Sequence, residues 1–176
     1  QSPEEVALIN YTSGTKGFSK GVMIPYRALW GNLDFAEHVL SPHIKPGDNI
    51  VSILPMAHMY GMAFEFLYEC TIGMHIHFLT RMPTPTIIAQ AFSEVRPAIV
   101  IAVPLVIEKI IRKKVFPKVQ GSLMKMLRAT PFIKDKINAK IKEQVLKAFG
   151  GNMYEIIIGG AAFNQDVEAF LREIDF

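Results

Sequence analysis

After a short apolar run the chain carries Tyr11-Thr12-Ser13-Gly14-Thr15-Lys16-Gly17-Phe18-Ser19-Lys20-Gly21, a stretch in which glycines, hydroxyls and cations alternate. A polyphosphate needs several donors that converge with no side chain in the way, and a strand running into such a loop supplies them from backbone N–H groups and hydroxyls. Gly14, Gly17 and Gly21 permit the turns and the close approach. Thr12, Ser13 and Thr15 offer hydroxyls, and Lys20 offers a cation to a leaving pyrophosphate. The loop is not a Walker A element, because Ser19 stands five residues after Gly14 and no Gly-Lys-Ser/Thr follows. On composition alone an unliganded turn fits it as well.

Three other places could do chemistry. His58 follows a β-rich run, and parallel sheets place ligands at strand ends, although a lone histidine is more often a packing residue. Gly159-Gly160-Ala161 stands between a β-rich run and a helical pattern, where bare backbone can approach a flat base or an acyl chain, or simply turn. His75 and His77 share one strand face, but a third metal ligand is not near them in sequence. The single Cys70 excludes an internal disulfide; with Tyr68, Glu69 and Thr71 around it and no base, it reads as a packed thiol.

The run Tyr11 to Val22 resembles the AMP-binding signature of the adenylate-forming superfamily, Tyr-Thr-Ser-Gly-Thr-Thr-Gly-x-Pro-Lys-Gly-Val. Lys16 stands where that pattern has its second threonine, and Ser19 where it has proline. Pro25-Tyr26 also departs from the hydroxyl residue and histidine common there. The resemblance continues in order through Leu54-Pro55-Met56-Ala57-His58-Met59-Tyr60-Gly61, Val95-Arg96-Pro97, Val103-Pro104-Leu105-Val106-Ile107-Glu108-Lys109 and Gly159-Gly160-Ala161-Ala162. It implies ATP-dependent activation of a carboxylic acid to an acyl-adenylate, then transfer to coenzyme A with release of AMP and pyrophosphate. It places Thr12, Ser13, Gly14, Thr15, Lys16, Gly17 and Lys20 around the β- and γ-phosphates, Thr12 beside Mg2+, His58 beside the acyl and phosphate groups, and Gly159, Gly160 and Ala161 along the adenine and acyl wall. Lys16 loses a hydroxyl donor but keeps a charge that favours pyrophosphate. The resemblance also implies that the chain is an internal piece of a large N-terminal domain, without the Tyr-Gly-x-Thr-Glu, Thr-Gly-Asp and lysine elements that complete the reaction. An amino-acid- or aryl-acid-activating ligase uses the same loop, and a noncatalytic nucleotide-binding or membrane-docking module is the alternative from another class.

These residues need a scaffold, and the chain of 176 residues, half of them hydrophobic, is long enough to build one. Val6–Asn10, Asn49–Leu54, His75–Leu79, Ala98–Val103 and Tyr154–Ile158 are continuous and rich in β-branched residues, and they alternate with helical patterns. That alternation predicts an α/β fold, a mainly parallel sheet with helices on both faces, in a single unit. Pro25 should open a helix through Leu29, Leu33 and Val39 that Pro42 stops. Another helix is expected from Thr86 to Val95, and a last one behind the N-cap Asn164, with Val167, Phe170, Leu171 and Ile174 as its buried stripe.

Residues 105–149 break the rhythm as a helical excursion, with Ile137, Ile141, Val145 and Phe149 inward, and this excursion resembles that of long-chain fatty-acid–CoA ligases. Glu108 to Lys147 holds 12 Lys/Arg against three acids, a net +9 in a chain whose total is +3. A solvated helix face explains this, and peripheral contact with an anionic membrane is the functional reading. Nucleic acid is not expected, because no aromatic residues interleave with the lysines. The apolar runs are too short to span a membrane and no signal peptide opens the chain, so a cytoplasmic location is expected. Oligomeric state is not legible.

Overall fold

The computed structural model describes residues 2–12, 18–40, 42–119, 121 and 131–176, with the side chains of residues 131 and 132 left out. They divide into two compact units, Gln1–Asp48 with Leu54–Ile76, and Asn49–Ile53 with His77–Phe176.

In the first unit β1 (Val6–Thr12) pairs antiparallel with β2 (Lys20–Pro25), in a register running from Leu8 opposite Ile24 to Thr12 opposite Lys20. This corrects the reading of Val6–Asn10 as a strand of the parallel sheet. Most positions of the pair are exposed, so the run is apolar without being buried on both faces. Helix α1 (Tyr26–Leu40) buries Ala36 and Leu40 and half-buries Leu29 and Leu33, whereas Val39, expected on that face, is 49% exposed. The spacing Leu29, Leu33, Ala36, Leu40 is the helical stripe, and Val39 falls one residue outside it.

The unit continues with α2 (Met59–Met62), a π-helical turn (Ala63–Leu67) and α3 (Tyr68–Ile72), helical without a break. Glu65 and Glu69, one turn apart, are both fully buried. With Tyr68 and Glu69 turned inward, Cys70 points to solvent, which overturns the packed-thiol reading. The Leu54 backbone N–H donates to Glu65 Oε2 at 2.8 Å. Neither Glu69 oxygen, nor the Tyr68 hydroxyl, has a hydrogen-bond partner among the described residues. Burial pushes the Glu69 carboxyl up to about 8; Glu65 adds to the push, and the residue's own backbone N–H opposes it.

Folded Glu69 keeps its proton to about pH 8, whereas the unfolded chain gives it up near 4.5. Between those values the folded state binds the extra proton, so stability falls as pH rises through the window and levels off above it. Thermal melting from pH 5 to pH 9 should show this decline, on the order of a few kcal/mol. Glu69→Gln, neutral throughout, should flatten the decline and melt higher than the parent at pH 8. Equal slopes for the two proteins would contradict the assignment.

A four-stranded sheet has the order β4 (His75–Phe78), β3 (Asn49–Ser52), β5 (Ile99–Ala102), β6 (Glu155–Ile158). β5 runs parallel to both β3 and β6, as the unbroken apolar runs predict. All four residues of β5 are buried. The sheet is flanked by α4 (Pro85–Val95), capped by the Thr84 hydroxyl, by α5 (Pro104–Ile110), and by α8 (Gln165–Glu173). A π-helical turn (Ile111–Val115) and α6 (Phe116–Val119) extend α5, and α7 (Pro131–Ala148) packs against that turn. As the periodicity predicts, Ile141, Val145, Phe149, Val167, Leu171 and Ile174 are buried, whereas Ile137 and Phe170 of the same stripes are half-buried. His77 Nε2 lies 2.9 Å from Asn49 Oδ1, so this ring serves the neighbouring strand.

Candidate functional site

Residues opposite one another in an antiparallel pair hold their Cβ atoms about 5 Å apart on the same face. Thr12 and Lys20 form such a pair at the loop end of the β1–β2 hairpin. The Thr12 and Lys20 side chains therefore leave the strand pair on the same face, at its last paired position. Ser13, Gly14, Thr15, Lys16 and Gly17, the rest of the expected phosphate set, lie outside the described residues.

Asn10 shares the strand face of Thr12, two residues away. Its side-chain amide donates to the Ala57 carbonyl at 2.8 Å, which ties this strand to the turn that carries His58. In that turn the His58 N–H donates to the Pro55 carbonyl at 2.9 Å, and His58 is the N-cap of α2. Its Nδ1 accepts from the Tyr60 N–H at 3.2 Å. A ring nitrogen that accepts carries no proton, so the neutral imidazole bears its proton on Nε2 and presents a donor. Tyr60, whose hydroxyl burial and then Glu65 push up to about 12, remains protonated at any physiological pH.

Thus the first unit carries a hydroxyl and an ammonium paired across β1 and β2, and an imidazole N–H on a turn that Asn10 ties to β1. All three can donate, and such a set suits an anion. Among the described residues no group of three or more His, Cys, Asp or Glu is gathered for a metal.

Two residues that sequence reasoning passed over support this turn. Glu65 holds the Leu54 N–H, and its only sequence signal is an acid inside the apolar run Met62-Ala63-Phe64-Glu65-Phe66-Leu67. Gly61 packs so closely that an added Cβ would stand 2.8 Å from the Pro55 carbonyl oxygen and 3.0 Å from Leu54 Cβ. Alanine favours a helix over glycine by about 1 kcal/mol, but overpacking against fixed backbone costs about 1–3 kcal/mol, so the clash wins. Gly61→Ala should lower the melting temperature and displace the His58 turn. An unchanged melting curve would show that the turn yields freely.

Gly159, Gly160 and Ala161 belong to the second unit. The Gly159 N–H donates to the Ala102 carbonyl at 3.2 Å, which puts the turn at the C-terminal ends of β5 and β6. Gly160 has φ +88°, a value that favours glycine. Downstream, the Asn164 N–H donates to Glu108 at 3.0 Å, and the Asn164 side chain in turn accepts from the N–H groups of Asp166 and Val167. Glu108 thereby anchors the helix that follows the Gly-Gly-Ala turn. Its role depends on a partner 56 residues away, which local sequence does not show.

Comparison with known proteins matches residues 1–174 to the family model described as AMP-binding enzyme. The chain is 29% identical over 185 residues to long-chain-fatty-acid–CoA ligase 4 of Saccharomyces cerevisiae, covering 98% of itself and 26% of that protein. It is 28% identical to long chain acyl-CoA synthetase 5 of Arabidopsis thaliana, covering 99% and 28%. Among solved structures, the adenylation domain of a carboxylate reductase from Mycobacterium chelonae aligns with a TM-score of 0.65 at 25% identity, over 98% of this chain and 25% of that one. ATP-bound MatB from Rhodopseudomonas palustris shares the fold, with a TM-score of 0.64 at 22% identity over 99% and 27%. The chain spans about a quarter of the length of the curated relatives it matches.

Proposed function

The chain belongs to the AMP-binding enzyme family, and from that premise we propose that the full-length protein is a fatty-acid–CoA ligase. It joins a fatty acid to AMP at the expense of ATP, then passes the acyl group to coenzyme A. The observation that carries this reading is the set of donors in the first unit, Thr12 opposite Lys20 and the Nε2–H of His58 on a turn tied to the same strand. The long-chain ligases among the relatives favour a fatty acid as the acid.

As the carboxylate attacks the α-phosphate, charge builds on the departing pyrophosphate. Fixed donors aimed at that charge, already oriented before the reaction, lower the barrier more than mobile water can. Lys20 and the Thr12 hydroxyl hold the β- and γ-phosphates with Ser13, Gly14, Thr15, Lys16 and Gly17. His58 donates from Nε2 toward the α-phosphate and acyl oxygens, and Gly159, Gly160 and Ala161 line the adenine and acyl wall. Magnesium, when bound with the nucleotide, neutralises part of the phosphate charge. Among the described residues no helix is long and apolar enough to cross a membrane. We propose a cytoplasmic reaction, with the lysines of the helical excursion available for peripheral membrane contact.

The full-length protein should be incubated with ATP, coenzyme A and fatty acids of graded length, beside an aryl acid and an amino acid. AMP and the fatty acyl thioester should form together. AMP formed only with the aryl or amino acid would move the protein to another branch of the family, and ADP in place of AMP would refute the mechanism.

A further inference from the structure

The peptide unit between Ala57 and His58 is pinned at both of its polar atoms. The His58 N–H is held locally by the Pro55 carbonyl, and the Ala57 carbonyl is held by the Asn10 amide, 47 residues away. The imidazole is fixed in turn by the Tyr60 N–H on its Nδ1. Of these constraints the Pro55 and Tyr60 contacts move with the turn itself, whereas the Asn10 contact refers the turn to β1. Asn10 stands two residues before Thr12 on the same strand face, and Thr12 opposes Lys20. We infer that Asn10 is a positioning residue, whose amide fixes the distance between the donors that receive the departing pyrophosphate and the His58 donor that faces the α-phosphate. The inference rests on the ligase reading above.

The bond has a defined polarity. A carbonyl can only accept, so the amide nitrogen of Asn10 must face Ala57, and an oxygen in its place would repel. The expected cost of losing the bond lies in the chemical step. Substrate phosphates would still meet Thr12 and Lys20, but the His58 N–H would no longer be held where charge develops, and small misplacements of reacting groups cost factors of roughly 10–100 in rate.

The test is a double-mutant cycle in the full-length protein, read as acid-dependent exchange of pyrophosphate into ATP. Asn10→Ala should lower kcat about tenfold while KM for ATP stays within about twofold. In a His58→Ala background Asn10→Ala should cost nothing further, because its effect passes through a group that is already gone. Asn10→Asp keeps the volume and removes the donor, so it should reproduce the loss and decides the matter if the alanine variant folds poorly. Full activity in both Asn10 variants, or losses that multiply in the double variant, would overturn the inference while leaving the ligase reading intact. No exchange by the parent with any acid would instead refute that reading. Losses in kcat that merely track melting temperature would reduce Asn10 to a structural residue and also overturn it.

Discussion

Replacing Lys20 by alanine should slow adenylation by about a hundredfold or more. Removing one preorganised donor from a site where charge develops costs about 2.7–4 kcal/mol of transition-state stabilisation, and a cation facing pyrophosphate stands at the upper side of that range. Lys20 is exposed at the mouth of the hairpin, opposite Thr12, and surface substitutions of this kind move stability by about 0.5 kcal/mol or less. Activity and stability should therefore separate cleanly, with a deep loss of pyrophosphate exchange beside an unchanged melting curve. Lys20→Arg keeps the charge but not the compact ammonium, and it should fall between the two. An alanine variant that exchanges at the parental rate would remove Lys20 from the site.

Gly150→Ala should cause the largest loss of stability, roughly 3 kcal/mol or more. The backbone there has φ +97°, and an added Cβ would stand 2.2 Å from the Phe92 carbonyl oxygen and 3.0 Å from Arg96 Cα. These are backbone atoms that cannot swing aside. The Phe92 carbonyl already receives the Arg96 N–H, Arg96 Nε donates to the Gly150 carbonyl at 3.2 Å, and the Phe92 and Phe149 rings meet in the core with centroids 5.9 Å apart. A methyl group must therefore prise α4 from the end of α7. Gly151 is the control, since its φ is +77° but nothing lies within 4 Å of its added Cβ. Gly151→Ala should show only the backbone strain, about 1 kcal/mol. Denaturant melts of the two variants separate clash from strain, and equal losses would contradict the close approach at Gly150.

What the sequence made legible follows from where the physics is local. The run Ile99-Val100-Ile101-Ala102 is apolar at every position because the strand is buried on both faces, and the Asn164 cap needs only the next three residues to be seen. β2 was invisible for the opposite reason: Lys20 to Pro25 is largely exposed, has little alternation, and becomes a strand through pairing with β1. Tyr11 to Gly21 read as loop could not announce that Thr12 and Lys20 would face each other. The buried pair Glu65 and Glu69 contradicts the usual fate of acids, and Cys70 beside them is exposed although a thiol with no base nearby reads as packed. Composition alone left the phosphate loop open to a plain turn, and the ordered family motifs gave His58 and the glycine turn their expected roles. Asn10, Glu65 and Glu108 stayed hidden because each acts through a hydrogen bond to a residue that only folding brings near.

The central claim is that these residues serve the adenylation of a carboxylic acid. Exchange of labelled pyrophosphate into ATP by the full-length protein, without coenzyme A, tests it most directly, since exchange requires a reversible acyl-adenylate. Label should enter ATP when a fatty acid is supplied, and little or none should enter when the acid is omitted. Exchange that ignores the acid, or no exchange with any acid offered, would contradict it.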